Sequence, residues 1–334
     1  MRAVVLTRHG APEVLQVQER PEPQPGPGQV AVDVGAAGVN FADVMARMGL
    51  YPEAPKPPSV VGYEVAGTVA AVGDGVAGLA VGDRVMAGTR FSGYQERVIS
   101  NVADVAALPG RLTFEQGAAI PVNYCTAWLG LVLAGNLPLR DGARVLLHAA
   151  AGGVGIAATQ VAKRHGAEVW GTASPGKHEA IRGLGVDHPL DYTTPGWERG
   201  LPRFDVIMDA LGGKSFATSY ALLRPGGVLV CFGASAVVTG EKRNLPQALK
   251  TMVQMPKFKP RNMMEESKTV AGLNALKVWD EHGSLGVALG PIRELIQDGT
   301  IQPVVAAAIP FDRAPEAHRY LSERRNVGKV VLTP

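Results

Sequence analysis

The stretch HAAAGGVGIAATQVAK, residues 148–163, decides the fold of this sequence. It follows a short apolar run and continues with the periodicity of a helix, so its glycines lie at a turn between a strand and a helix. Glycine lets such a turn approach a pyrophosphate closely, and the first helical turn offers free N–H groups. We therefore predict a dinucleotide-binding site at Gly152, Gly153, Val154 and Gly155. The alternative is a strand–helix turn that needs glycine only for packing.

Strand-like and helix-like segments alternate around this turn, from about residue 120 onward. ARVLLHAA (143–150) and AEVWGTA (167–173) are predicted strands, and FDVIMDAL (204–211) and GGVLVCFG (226–233) are apolar throughout. Alternation of this kind predicts βαβ units, and continuously apolar strands are typical of a parallel sheet that is covered on both faces. This part of the chain is therefore predicted to be an α/β domain with a parallel sheet.

The first 120 residues have a different texture, with short Val- and Gly-rich runs bounded by turn residues. Two proline-rich loops, 21–29 and 52–59, interrupt these runs. Such runs predict strands. We therefore expect a β-barrel-like domain here, with strands in RAVVL, QVAVDVGAAGV, YEVAGTVAAVG, DRVMAG and YQERVIS.

Length and composition limit the classes of protein. A chain of 334 residues, 46% hydrophobic and 19% charged, suggests a soluble protein of two domains. The net charge of +3 gives no reason to expect a nucleic-acid partner. We find no run of about 20 apolar residues and therefore predict no transmembrane segment. The two cysteines, Cys125 and Cys231, have no Cys or His at ligand spacing, which argues against a structural zinc site and favours a reducing, cytoplasmic location.

The second predicted strand of the α/β domain indicates which dinucleotide is bound. An acidic residue at its end would bind the ribose 2′-hydroxyl of NAD, but Glu168 lies at its start. Ser174 and Lys177 follow its end instead, and a lysine can bind a 2′-phosphate. NADPH is therefore favoured. The alternative is that Lys177 is an ordinary exposed lysine.

Several ordered motifs carry a family resemblance. The chain resembles the zinc-independent medium-chain dehydrogenase/reductase superfamily, most closely its quinone oxidoreductases, and its end leans toward the vesicle amine transport protein branch. The motifs are AAAGGVGIAATQVAK, GVNFADVMARMGLYP, GYEVAGTV, VGDRV and RRNVGKVVL. The resemblance implies a GroES-like catalytic domain (1–120 and 283–334) with an inserted Rossmann domain (121–282). It also implies a homodimer and NADPH-dependent reduction of quinones or other α,β-unsaturated carbonyls.

The resemblance also implies roles for single residues. Asn40 corresponds to a residue near the nicotinamide, and Lys177 and Tyr192 match positions that bind the 2′-phosphate. Arg324 matches an arginine with the same role, although Arg325 is an equally near candidate. The other positions near the cofactor are Thr126, Phe232, Gly233 and Asn326.

Zinc-dependent relatives hold their metal with a cysteine and a His–Glu pair, at positions that are Asn40, Tyr63 and Glu64 here. Asn and Tyr are poor zinc ligands, so no metal site is predicted. Glu64 lies in an apolar run and is expected to be paired with a buried Arg, Lys or backbone N–H group, because an unpaired buried carboxylate is costly. Tyr63 is expected to be structural.

Without a metal, hydrogen-bond donors must stabilise the charge that develops on the substrate oxygen. Asn40 and Tyr51 are the candidates, although Tyr51 could equally pack as an aromatic lid and a quinone could take protons from water. His148 is expected to pack in the core with one hydrogen bond. Two other functions stay open, an enoyl-thioester reductase and a low-turnover NADPH-binding protein that acts through lipid or protein contacts. The basic, Met-rich segment 241–268 would serve either, but Pro246, Pro256 and Pro260 break any long helix in it.

Overall fold

A computed structural model describes residues 1–238 and 240–334. These residues form two compact units, one made of residues 1–125, 240–243 and 276–334 and the other of 126–238 and 244–275. Below they are called the barrel unit and the nucleotide unit. The domain boundaries expected from the resemblance, at residues 120 and 282, stay a proposal.

Regular structure covers most of both units. The strands are β1 (Arg2–Leu6), β2 (Leu15–Glu19), β3 (Gln29–Val39), β4 (Ser59–Val60), β5 (Glu64–Val72), β6 (Arg84–Gly88), β7 (Arg97–Asn101), β8 (Val105–Ala107), β9 (Arg144–Leu147), β10 (Glu168–Ala173), β11 (His188–Asp191), β12 (Phe204–Asp209), β13 (Leu223–Cys231), β14 (Thr269–Gly272), β15 (Val305–Pro310) and β16 (Lys329–Thr333). The helices are α1 (Phe41–Arg47), α2 (Phe114–Gly117), α3 (Pro121–Trp128), α4 (Gly153–Arg164), α5 (His178–Gly183), α6 (Lys214–Leu222), α7 (Leu245–Val253), α8 (Pro260–Glu266), α9 (Ala275–His282), α10 (Gly286–Gln297) and α11 (Ala314–Ser322).

The nucleotide unit is built on one parallel sheet. Its strand order is β11-β10-β9-β12-β13-β14, and every pairing is parallel. The central strand β12 is buried along its whole length, as expected for a sheet covered on both faces, although Asp205 and Asp209 interrupt its apolar sequence. The predicted Rossmann-type parallel sheet is confirmed.

The barrel unit contains two further sheets. A seven-stranded sheet has the order β15-β16-β3-β5-β6-β8, with β7 also paired to β3, and a three-stranded sheet has the order β2-β1-β4. Alternate residues of these strands form a core of small aliphatic side chains, mostly valine and alanine. This is the expected GroES-like β domain. All five strands predicted in this half are present, and β7 begins at Arg97, later than the quoted stretch suggests.

One helical segment bears on the expectation that no segment spans a membrane. By length and composition alone, Phe114–Ala134 is long and apolar enough to cross a membrane. Its apolar residues are interrupted by Glu115, Gln116 and Asn123. Within the protein, 72% of that segment's most apolar window is buried, as in the core helix of a globular domain, so the segment is weak evidence for a span.

Candidate functional site

The predicted phosphate turn lies between β9 and α4. Ala149 adopts a left-handed conformation, with φ of 55°, and Gly152 precedes the first residue of α4. A Cβ atom on Gly155 would lie 2.5 Å from the carbonyl oxygen of Ala149. Gly155 is therefore required by the close approach of helix and turn, as packing alone would also demand.

Gly152 is less tightly packed than Gly155. The nearest atom to a Cβ built on Gly152 is the Ala149 carbonyl oxygen, at 3.3 Å, and the φ of −78° at Gly152 suits any residue. A small shift of that oxygen would accommodate a side chain, so packing within the protein explains glycine less fully at 152 than at 155. Since the first N–H groups of α4 have no acceptor within the helix, the turn fits the phosphate of a dinucleotide.

The residues predicted to bind the 2′-phosphate follow two neighbouring strands. Ser174 and Lys177 come after β10, and Tyr192 comes directly after β11 and is 38% exposed. The two strands are parallel, with Ala173 opposite Asp191, so these side chains start from one edge of the sheet. The phosphate turn follows β9, which pairs with β10 and ends at the same edge. The geometry suits the prediction, but their role stays a prediction.

The loop after β13 approaches the end of β12. The Phe232 N–H group donates to the Asp209 carbonyl oxygen at 3.1 Å, and a Cβ on Gly233 would lie 2.8 Å from the Ala210 carbonyl oxygen. Thr126, in α3, is 7% exposed. The close approach to the Ala210 carbonyl oxygen explains why glycine is needed at 233. The contacts of Thr126, Phe232 and Gly233 with a nicotinamide stay predictions.

A buried polar cluster in the barrel unit contains the predicted catalytic Asn40. Lys329 donates to Glu64 Oε1 and, at 2.7 Å, to Asn40 Oδ1. Asn40 Nδ2 donates to Glu64 Oε1 at 3.0 Å, and the Val122 N–H group donates to Glu64 Oε2 at 2.7 Å. The expectation that a buried lysine or backbone N–H group pairs with Glu64 is confirmed by both kinds of partner.

A second buried carboxylate lies on α1. Asp43 Oδ2 accepts hydrogen bonds from the Asn40 N–H group at 2.8 Å and from the Tyr94 hydroxyl at 2.9 Å, and Oδ1 accepts one from the Gly62 N–H group at 2.9 Å. Burial raises the pKa of Asp43 to about 7, although these hydrogen bonds and Lys329 oppose the shift. Asp43 therefore holds the backbone at Asn40 and at Gly62, the residue before Tyr63.

Tyr51 and Tyr63 belong to an aromatic group. Their ring centroids are 6.4 Å apart in an edge-to-face arrangement, and the Tyr63 and Phe91 rings are 5.0 Å apart. Burial raises the pKa of Tyr51 to about 12 and that of Tyr63 further. The buried Tyr63 hydroxyl has no hydrogen-bond partner in the described part of the chain. Tyr51 keeps its proton at neutral pH, and its role as a hydrogen-bond donor or as an aromatic lid stays a prediction.

The predicted cofactor residues near the C-terminus have different environments. Asn326 is 6% exposed and its Nδ2 donates to the Gly328 carbonyl oxygen at 2.8 Å, so its side chain shapes its own turn. Arg324 is exposed and adopts a left-handed conformation, with φ of 55°. The rival Arg325 pairs with Glu323 at 2.9 Å and lies over the Tyr320 ring.

The donor set does not fit a zinc ion. Asn40 and Tyr63 replace the usual ligands, and the Lys329 ammonium group already lies against Glu64. Among residues 1–238 and 240–334, no group of three or more His, Cys, Asp or Glu side chains is arranged to hold a metal ion.

Comparison with known proteins agrees with this architecture. Residues 26–128 match the model of the alcohol dehydrogenase GroES-like domain, and residues 184–332 match that of zinc-binding dehydrogenases. The whole chain is 39% identical to the rat synaptic vesicle membrane protein VAT-1 homolog and covers 84% of it. The chain belongs to the medium-chain dehydrogenase/reductase superfamily.

Solved structures of this superfamily resemble the chain over its whole length. One is a mycobacterial protein in complex with NADPH, with 30% identity, a TM-score of 0.83 and full coverage of both chains. Another is a quinone oxidoreductase from Coxiella burnetii, with 25% identity, a TM-score of 0.81 and coverage of 100% of this chain and 99% of that one. The resemblance seen in the sequence motifs is confirmed.

Sequence reasoning missed two residues of the buried cluster in this superfamily member. Lys329 and Asp43 both stand in the quoted motifs, but neither was singled out. The signal for Lys329 was indirect, since Glu64 required a cation. Asp43 offered the clearer signal, because an acidic residue three positions after Asn40 is typical of a helix that begins with a reciprocal side-chain cap.

Proposed function

We propose that this protein is an NADPH-dependent reductase of quinones or other α,β-unsaturated carbonyls that works by hydride transfer without zinc. The observation that carries the proposal is the open phosphate turn at Gly152, with Ser174 and Lys177 at the same edge of the sheet. The similar proteins support it, since one was solved with NADPH and another is named a quinone oxidoreductase.

The predicted cofactor residues are grouped by the part of the dinucleotide that each would bind. The turn at 152–155 would bind the pyrophosphate through backbone N–H groups. Ser174, Lys177, Tyr192 and Arg324 would bind the 2′-phosphate, and Thr126, Phe232, Gly233 and Asn326 would contact the nicotinamide end. When bound, the reduced nicotinamide supplies the hydride, and the protein supplies orientation and electrostatics.

Asn40 and Tyr51 would donate hydrogen bonds to the substrate oxygen. The side-chain oxygen of Asn40, Oδ1, accepts a hydrogen bond from Lys329, and one N–H of its side-chain amide donates to Glu64. An amide has two N–H donors, so one is left for a substrate. With its pKa raised to about 12, Tyr51 stays protonated at neutral pH and can donate as well.

The charge of the buried cluster around Glu64 supports a zinc-free reaction. In place of a metal, the Lys329 ammonium group compensates Glu64 and fixes the orientation of the Asn40 amide. The negative charge that develops on the substrate oxygen would be met by the N–H group of Asn40 and the O–H group of Tyr51. We also propose that the protein is a homodimer, as the family resemblance implies. We propose a cytoplasmic location, which the two free cysteines support.

Oxidation of NADPH by a panel of acceptors tests the proposal. The acceptors are 1,4-benzoquinone, 9,10-phenanthrenequinone, an alkenal and crotonyl-CoA, each mixed with protein and NADPH or NADH. We expect turnover with the quinones or the alkenal, and with NADPH rather than NADH. A preference for crotonyl-CoA would favour the enoyl-thioester reductase instead. NADPH binding with no turnover in any mixture would contradict both enzyme functions.

One observation favours a second candidate, a low-turnover NADPH-binding protein that acts through lipid contacts. Helix α7 exposes large apolar side chains at helical spacing, and these are Leu245, Leu249, Met252 and Val253, each 53–76% exposed. The segment 241–268 holds seven Lys or Arg and three Glu, a net charge of +4 against +3 for the chain. Co-sedimentation with anionic but not neutral vesicles, lost in Leu249→Glu, would support it.

A further inference from the structure

A line of buried side chains crosses the ends of three neighbouring strands in the nucleotide unit. Asp209, at the end of β12, accepts at Oδ2 from the Ser219 hydroxyl at 2.7 Å. Ser219 Oγ lies 2.9 Å from His148 Nε2, beyond the end of β9. His148 Nδ1 lies 3.4 Å from Thr172 Oγ1, in β10. Thr172 Oγ1 in turn accepts from the Ala149 N–H group at 3.2 Å.

Counting donors fixes the direction of every hydrogen bond in this chain. The Asp209 carboxylate only accepts, so the single hydroxyl hydrogen of Ser219 is used on it. Ser219 can then only accept from His148, which places a hydrogen on Nε2. In a neutral imidazole Nδ1 is then an acceptor. The Thr172 hydroxyl hydrogen must therefore point to Nδ1, and its oxygen is free to accept from Ala149.

The rest of the surroundings favours the same arrangement. Asp209 also accepts from the Ser215 hydroxyl at 2.6 Å and from the Leu211 N–H group at 2.8 Å, so it is well compensated without a charged histidine. Burial lowers the pKa of His148, although Asp209 opposes the shift. His148 is 3% exposed, and its ring packs edge-to-face with the Trp197 ring. Water therefore does not replace Ser219 or Thr172 as a hydrogen-bond partner of the imidazole.

The hydrogen-bond chain ends at the Ala149 backbone, which is part of the phosphate turn. Ala149 is one of few non-glycine residues with a left-handed backbone, a conformation that costs free energy in an L-residue. Its N–H group bonds to the Thr172 side chain, and the next N–H group, that of Ala150, bonds to the Thr172 carbonyl oxygen at 3.0 Å. The Ala149 carbonyl oxygen accepts a hydrogen bond from the Gly152 N–H group at 2.9 Å.

We propose that Thr172, His148 and Ser219 are positioning residues for the cofactor, because their one-directional hydrogen-bond chain holds Ala149 in its left-handed conformation and so sets the shape of the phosphate turn. This inference rests on the proposed binding of NADPH. None of the three side chains needs to touch the cofactor. Their effect reaches it through the peptide groups of 149–152.

Replacement of Thr172 tests whether the hydrogen-bond chain positions the phosphate turn. Thr172→Val keeps the shape and removes the hydroxyl, so the Kd and KM for NADPH should rise about tenfold, the worth of a lost buried hydrogen bond. The kcat value and the KM for the quinone should stay within about twofold. Thr172→Ser keeps the hydroxyl and should restore binding. Thr7→Val, which removes a hydroxyl bonded to the Val14 carbonyl oxygen in the barrel unit, is the matched control and should bind normally.

The outcomes separate this inference from the proposed function. If wild-type protein binds NADPH and Thr172→Val binds it equally well, the positioning role is wrong and the proposed function stands. Failure of Thr172→Ser to restore binding would also overturn it. If wild-type protein does not bind NADPH, the proposed function and this role fail together.

A spectroscopic test needs neither activity nor a Thr172 variant. The side-chain nitrogen shifts of His148 in the wild-type protein, assigned with His148→Gln, report which ring nitrogen carries hydrogen. The chain requires a neutral ring with hydrogen on Nε2 and a bare Nδ1. Hydrogen on Nδ1, or a charged ring at neutral pH, would break the chain at Thr172 and overturn the proposal.

Discussion

The Lys329 ammonium group and the Glu64 carboxylate form an ion pair inside the barrel unit, where their side chains are 3% and 0% exposed. Glu64 also accepts from Asn40 and from the Val122 backbone, so all of its charge is compensated within the protein. Removal of one partner of such a buried pair is strongly destabilising, because it leaves the other partner as an uncompensated buried charge.

Lys329→Met should therefore be strongly destabilising. It leaves Glu64 buried without a cation, and the free energy of unfolding should fall by about 3–5 kcal/mol. Denaturant titration measures the change. The double variant Glu64→Gln, Lys329→Met should recover a large part of the loss, since no charge is then buried.

The matched control is an exposed ion pair. Lys163 and Asp187 are 2.9 Å apart with side chains 41% and 36% exposed. Lys163→Met should cost less than about 1 kcal/mol. Equal losses for Lys163→Met and Lys329→Met would show that burial does not govern the Glu64 pair.

The carboxyl group of Asp43 should make stability depend on pH. Its pKa is raised to about 7 in the folded protein from an ordinary value of 3.8. Between these pH values the folded state holds a proton that the unfolded state has lost, so stability falls as pH rises. Asp43→Asn lacks this titration. Its free energy of unfolding relative to wild type should rise by up to about 4 kcal/mol from pH ~4 to ~7. A difference that is constant with pH would show that Asp43 does not titrate in this window.

Two buried tyrosines should respond differently to loss of the hydroxyl. Tyr94 donates to Asp43, so Tyr94→Phe should lower the free energy of unfolding by about 1–3 kcal/mol. The Tyr63 hydroxyl has no partner in the described part of the chain, so Tyr63→Phe should be neutral within about 0.5 kcal/mol or stabilising. Thermal and denaturant unfolding compare the two. A clear loss in Tyr63→Phe would reveal a partner for that hydroxyl.

The two glycines of the phosphate turn should separate packing from binding. A Cβ on Gly155 would meet the backbone at 2.5 Å, so Gly155→Ala should be destabilising. A Cβ on Gly152 has more room, at 3.3 Å, so Gly152→Ala should fold normally and lose at least about tenfold in NADPH affinity. Unfolding curves and NADPH fluorescence titration measure both. Normal NADPH binding by Gly152→Ala would contradict a phosphate site at this turn.

Lys177 should determine the preference between the two dinucleotides. Lys177→Ala removes a positive charge from the edge where the 2′-phosphate is proposed to bind, so the Kd for NADPH should rise about tenfold at low salt. The Kd for NADH should hardly change, because NADH lacks that phosphate. Lys214→Ala, on α6, is a control for loss of one positive charge. An equal rise in the Kd for NADPH and for NADH would show that Lys177 does not bind the 2′-phosphate.

Local patterns in the sequence were enough for most elements of the fold. The glycine turn and the largely apolar parallel strands follow from neighbouring residues. Helix α1 was harder, since seven residues carry too little periodicity to stand out. Its start is fixed by the contact between Asn40 and Asp43, which is a cap rather than a pattern of apolar residues.

The partners inside the site could not be predicted, because they come from distant parts of the chain. Glu64 and Lys329 are 265 positions apart and meet only because β16 pairs with β3, with Val330 opposite Val39. His148 was expected to have one hydrogen bond and has partners at both ring nitrogens, Ser219 and Thr172, from two other segments. The sequence around a buried polar residue shows that it needs a partner. Which residue is that partner depends on how distant strands pair in the sheet.

Hydride transfer in a single turnover tests the central claim most directly. Protein loaded with NADPH, carrying hydrogen or deuterium at C4, is mixed with 9,10-phenanthrenequinone while the absorbance of the reduced nicotinamide is followed. The account predicts a loss of absorbance that requires the quinone, is slower with deuterium, and persists after exhaustive metal chelation. NADPH that stays bound and unoxidised in the presence of the quinone, or oxidation that stops on removal of a metal ion, would contradict it.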